Sequence, residues 1–244
     1  MTEIADRSVT GVRCRDLDVR QAGFWNIRMR DAWIQDVEID GDVENLRING
    51  IDVGPLIEAE LDRRYPLRPK MRPTDLAGFR EAVDILETLW ARTATRARAL
   101  PPELLHERVD DEWSFVQTLR HLLFATDIWI SRAILGNPRP WHPLGLPFEE
   151  MEPHPEIPVD HDARPFLDEV LTLRAERYAL LRRVLDDLTP EGLVATTEPV
   201  EGPGYPPAGR YPVAKCLTTV LNEEWQHRLY AERDLDALES RRTR

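Results

Sequence analysis

The chain has 244 residues, with 32 Lys and Arg against 44 Asp and Glu, for a formal charge of −12. Its 42% apolar fraction can build a core and its 31% charged fraction a solvated surface. The acidity argues against a nucleic-acid partner, and no run approaches the ~18 consecutive apolar residues of a membrane span. Residues 1–30 are dense in charge and lack the apolar stretch of a secretory signal. The two cysteines, Cys14 and Cys216, stand far apart and do not read as a disulfide framework. A reducing, cytoplasmic setting is therefore expected.

Residues 5–39 carry a period of five. Val12, Leu17, Ala22, Ile27, Ala32 and Val37 form one apolar set. Val9, Cys14, Val19, Phe24, Met29, Ile34 and Ile39 form another, and Asp16, Asn26, Asp31 and Asp36 precede the first set. Two apolar positions per five residues can face one interior in a short β-solenoid, and the segment resembles pentapeptide-repeat sequence. The alternative is a few irregular strands packed on the main domain. A solenoid this short needs another module to cover its ends. Cys14 occupies an inward slot and reads as a small hydrophobe. Asn49-Gly50, between Leu46/Ile48 and Ile51/Val53, signals a hairpin. The module boundary falls near residue 54, giving a β-rich module over 1–54 and a helical domain over 55–244.

A short helix is expected over 55–64, ending at the prolines of 66–73. Four long helices follow. The first runs from an N-cap at Thr74 to about Ala99, with Phe79, Val83, Leu86, Leu89 and Trp90 at spacings of three and four. The second runs from a Ser114 cap to Leu135, the third from Pro165 to Leu188, and the fourth from Pro212 to about Leu238. Together they predict a mainly α protein built as a four-helix bundle. The connections 136–164 and 189–212 are long and rich in proline and aromatics, which favours ordered coils wrapped on the bundle.

Two of the six histidines sit inside these helices. His121, on the second, faces the interior or its edge. On the fourth, Glu223 and His227 are four apart and share a face. A carboxylate and an imidazole aimed into an apolar interface are costly unless paired or bound to a cation. Two imidazoles and one carboxylate suit Zn²⁺, Ni²⁺ or Fe²⁺ and leave a coordination position open. Glu224, three before His227, is the competing carboxylate, on a less favourable angle. Cys216 lies two turns before Glu223 and reads as a small buried residue. His106, His154 and His161 fall in polar loops and are expected to be solvated.

The phrases Glu112-Trp113-Ser114-Phe115-Val116-Gln117-Thr118-Leu119-Arg120-His121, Asn222-Glu223-Glu224-Trp225-Gln226-His227 and Pro140-Trp141-His142-Pro143-Leu144 resemble the DinB-like (YfiT-like) metal-binding proteins over residues 74–238. The Glu-x3-His form is most similar to the mycothiol-dependent maleylpyruvate isomerases and thiol S-transferases of that group. The resemblance implies a divalent metal, with zinc first, on His121, Glu223 and His227. It also implies a low-molecular-weight thiol cofactor such as mycothiol, bacillithiol or glutathione, activated for attack on a small electrophile.

If the second and fourth helices run parallel, the segments before them rim the site. Trp113, Tyr205, Arg210 and Tyr211 then become candidates for binding the thiol or substrate, and His142 lies at the far end unless its loop folds back. The leading expectation is a thiol transferase or isomerase. The rivals are a metal-stabilised scaffold whose N-terminal module binds a partner, and a hydrolase using activated water. No G-x-G-x-x-G, P-loop, C-x-x-C or G-x-S-x-G motif is present.

Overall fold

A computed structural model describes residues 24–39, 41, 43–148 and 151–242. The chain divides into two compact units, residues 1–44 and 45–244. Cys14 and the first part of the five-residue repeat lie outside the described residues. Within 24–39 the backbone keeps the period: Asn26, Asp31 and Asp36 are left-handed, with φ of 56°, 52° and 54°. Asn and Asp tolerate that region because their short polar side chains bond locally. The expected β-module does not follow from it. No strand forms in 24–39. Phe24, Ile27, Met29, Ile34, Val37 and Ile39, read as inward-facing, are 57–70% exposed.

In the second unit, β1 (Arg47–Ile48) and β2 (Ile51–Asp52) pair antiparallel around Asn49-Gly50. Both turn residues have positive φ, 52° and 81°, as a primed hairpin turn requires. This is the only sheet among the described residues. Helix α1 (Gly54–Arg64) follows, with Pro55 in its first turn, and then a single 3₁₀ turn over Arg68–Met71.

The bundle consists of α2 (Leu76–Arg98), α3 (Phe115–Thr126), α4 (Leu167–Asp187) and α6 (Val213–Arg242), with a short α5 (Pro190–Leu193) between the last two. The N-cap of α2 is Asp75 rather than Thr74, because its carboxylate reaches Gly78 N at 2.7 Å. Ser114 caps α3 in a reciprocal box with Gln117. The second predicted helix is not uniform: from Asp127 to Ile134 it continues as a π-helix. Phe79, Val83, Leu86, Leu119, Leu122, Leu181, Leu185, Leu217 and Leu221 meet in one core.

Side-chain bridges fix the helix directions. Arg98 meets Asp168 and Arg182 meets Asp84, so α2 and α4 are antiparallel. Thr93 bonds Glu232 and Arg96 bonds Asp236 and Glu239, so α2 and α6 are parallel. Arg120 reaches Ala163 just before α4, and Asp127 pairs with Arg177 further along it, so α3 and α4 are parallel. A parallel pair joined in sequence needs a connection that returns the length of the bundle. This accounts for the long segment 135–166.

Two buried arginines tie the connections down. Arg120 donates to the carbonyls of Leu144, Asp160, His161 and Ala163. Arg132 donates to those of Pro138, Val200, Gly202 and Pro206. Gly204 (φ 105°) lies so close to Trp141 that a Cβ there would sit 2.4 Å from the indole. Among the described residues no helix is long and apolar enough to cross a membrane.

Candidate metal centre

His121 lies two turns into α3 and is 6% exposed. Its Nδ1 is 3.0 Å from the main-chain oxygen of Leu146. A carbonyl only accepts, so Nδ1 carries the proton, and in the neutral ring Nε2 holds the lone pair. That Nε2 is 3.3 Å from Glu223 Oε2 on α6. His227, one turn on, donates from Nδ1 to Glu223 O at 2.9 Å, and the same nitrogen is 3.4 Å from Glu223 Oε2. The imidazole rings are 4.7 Å apart. One ligand atom from each of His121, Glu223 and His227 lies within 4.8 Å of the others.

Burial alone would raise the Glu223 carboxyl. The His121 hydrogen bond and the charges of His227 and His121 outweigh it and hold the group below its usual value. Burial, then the neighbouring His121 charge, push His227 down to about 4 against the pull of Glu223. His227 is therefore a neutral base at pH 7. The donor set amounts to a carboxylate and two imidazole nitrogens whose partner N–H groups are already bonded to carbonyls. Such outer bonds fix tautomer and ring plane in metal-binding histidines. Unless His121 carries a second proton, its Nε2 lone pair facing a carboxylate oxygen is acceptor against acceptor. It is stable only with a proton or a cation between them, and a divalent cation fits all three groups.

A family model of the DinB superfamily matches residues 85–231, more than half of the chain and a span holding all three of these residues. The chain belongs to the DinB superfamily. No curated protein and no solved structure matches it.

In this DinB-superfamily bundle the other candidates separate by their place along α3. Trp113 lies on the centre, its indole 4.6 Å from the His121 ring and 6.1 Å from that of His227. Tyr230 stands edge-on to His227, 5.8 Å away. Tyr205 and Tyr211 instead pack edge-on against Trp129, at 5.7 and 5.9 Å. Trp129 is eight residues past His121, about 12 Å along the helix. Arg210 pairs with Glu198 at 2.6 Å on the surface.

The reason is direction. Trp113, before α3, meets His227 in the second half of α6, while Trp129 meets Tyr205 and Tyr211 in the segment before α6, so α3 and α6 run antiparallel. The parallel arrangement, which would have gathered Tyr205, Arg210 and Tyr211 at the centre, is corrected. The rim comes from the residues before α3, the second half of α6, and the 141–148 coil. That coil does fold back along the bundle, yet His142 is not drawn in; its Nδ1 accepts from Leu144 N at 3.1 Å.

Glu224 faces away from the centre, accepting from Arg174 Nη2 at 2.7 Å and Tyr178 OH at 2.9 Å. Glu223 is thus the carboxylate of the cluster. Cys216 is fully buried, and burial pushes its thiol up to about 11. His154 and His161 are exposed as expected, but His106 is half-buried, and burial first, then the charges of Arg164 and Arg120, lower its pKa. Sequence reasoning missed the Leu146 carbonyl, which no residue type could signal, and the Arg174–Tyr178 cradle of Glu224. The neighbouring charge in Glu223-Glu224 was the one hint that two carboxylates needed two different partners.

Proposed function

We propose that the protein is a metal-dependent thiol S-transferase or isomerase that uses a low-molecular-weight thiol of the mycothiol type against a small electrophile. What carries the reading is the donor set: Nδ1 of both histidines spent on carbonyls, with Glu223 Oε2 3.3 Å from His121 Nε2. A divalent cation on His121, Glu223 and His227, zinc being the first choice and nickel or iron the others, would supply the positive charge that keeps a thiol ionised at neutral pH. A free thiol of pKa about 8.5 is only a few per cent thiolate there. The chain's own residues do the rest. Leu146 O and Glu223 O orient the imidazoles, the Glu223 carboxylate lowers the cluster's net charge, and Trp113 and Tyr230 flank His227 as aromatic walls. The match to the DinB superfamily over the residues that hold the cluster supports the same reading. The formal charge of −12 supports a protein without a nucleic-acid partner, and we propose a cytoplasmic setting.

Metal analysis and a thiol-conjugation assay test this together. The purified chain is expected to carry one equivalent of metal, lost in His121→Ala and His227→Ala. With mycothiol and an alkylating electrophile, the loaded protein is expected to accelerate conjugation over buffer. Full metal content without acceleration by any of the three thiols refutes the thiol chemistry. Unchanged metal content in both variants refutes the centre itself.

A further inference from the structure

Trp113 joins α3 to the loop before it, and its indole forms a tilted stack with both imidazoles of the cluster, nearly parallel to His227 at 24°. The backbone that delivers this ring makes a tight left-handed turn. Asp110 and Asp111 have φ of 51° and 61°. Two left-handed residues in succession turn the chain sharply, and such a turn keeps one shape only where its surroundings hold it. Arg108 holds them here. Its Nε donates to Glu112 O at 3.0 Å and its Nη2 to Asp111 O. Glu112 N donates to Val109 O at 3.0 Å, and Val109 is buried. On the other side of Trp113, the capping box locks Ser114. The indole is fixed from both directions while remaining only half-buried.

We propose that Trp113 is a positioning residue for the His121–Glu223–His227 centre. Its indole sets the planes of the two imidazoles and keeps water from their loop side, and Arg108 holds the turn that places it. This rests on the metal-binding reading above. With the loop side closed, ligands reach the cluster past Glu223 and Tyr230, whose exposures are 31% (side chain) and 37%.

The test uses Co²⁺ on the full chain, read by visible absorption, which reports coordination number. In Trp113→Ala, water admitted on the loop side is expected to raise the coordination number and lower the band intensity several-fold. Trp113→Phe, which keeps a ring there, is expected to retain the wild-type band. Trp113→Leu serves in place of the alanine variant should that one melt below room temperature. In metal-free protein, the emission lost in Trp113→Phe isolates the Trp113 signal. Arg108→Ala is expected to make that signal at least twice as quenchable by acrylamide. A wild-type band in folded Trp113→Ala or Trp113→Leu, or unchanged quenching in Arg108→Ala, overturns the proposal while leaving the metal centre standing. A wild-type chain that binds no Co²⁺ overturns both.

Discussion

Replacing Arg120 with Met tests how the return segment is held against the centre. The guanidinium is fully buried and donates to Leu144 O at 2.9 Å, Ala163 O at 2.8 Å and Asp160 O, with a longer bond to His161 O. A hydrogen bond from a charged donor contributes roughly 1.5–3 kcal/mol. Removing the charge also removes its desolvation cost, and the freed carbonyls lie on a surface segment that water can reach. The net loss is about 3–5 kcal/mol, within the range for breaking a buried ionic group's partners. For a chain of this size that lowers the melting temperature by about 10 °C.

Arg120→Lys should recover little, because an ammonium cannot fork among carbonyls spread around a plane. Leu146 N donates to Arg120 O, and Leu146 O receives the His121 proton. A loosened segment should therefore also weaken metal binding, by about 10- to 100-fold as for other outer-shell losses. Thermal melts followed by circular dichroism, with a metal titration on the same samples, read both effects. A Met variant that melts within about 2 °C of wild type would refute the reasoning.

Three further outcomes follow from the geometry. Burial, against the Arg177 hydrogen bond, raises Asp127 from 3.8 to about 6. The folded state then binds the proton more tightly than the unfolded chain between those values. Stability is full below pH about 4 and falls by about 3 kcal/mol as pH rises to 6; urea melts across this window should show the decline, and Asp127→Asn should abolish it. Glu223→Gln is expected to lose bound metal with little change in the metal-free melt. Glu224→Gln should keep its metal yet lose about 3 kcal/mol, because Arg174 is left buried beside a neutral amide; metal analysis and melts on both variants separate the roles. Cys216, buried with its thiol near 11, should resist iodoacetamide in the native protein and react in urea.

The helical half of the fold was legible because apolar spacing and capping chemistry are local. Phe79, Val83, Leu86 and Trp90 recur on one face of α2, and Ser114 announced the start of α3, although its partner in the capping box, Gln117, was not read. The cluster was legible for a related reason: Glu223 and His227 share a face by helical geometry, and the helical projection turned His121 toward the interior of the bundle or its edge. What could not be read was direction. Nothing in the spacing of Trp113, Tyr205 and Tyr211 says whether α3 and α6 run parallel, and the answer decides which aromatics meet the histidines. The π-helical stretch over Asp127–Ile134 was equally hidden, since its extra residue per turn leaves no mark on composition. In residues 24–39 the period of five was real in the backbone, at Asn26, Asp31 and Asp36. It did not bring with it an apolar interior.

His121 and Glu223 are 102 residues apart in sequence. Any ion clasping them would act as a reversible staple across nearly half the polypeptide. In chain-entropy terms, a cross-link closing a loop of that length is worth about 4.7 kcal/mol, comparable to the whole stability margin of many domains. Occupancy and folding should then be one equilibrium seen from two sides. Chelators would act on this protein as mild denaturants, and a cell short of the ion would hold less of it folded.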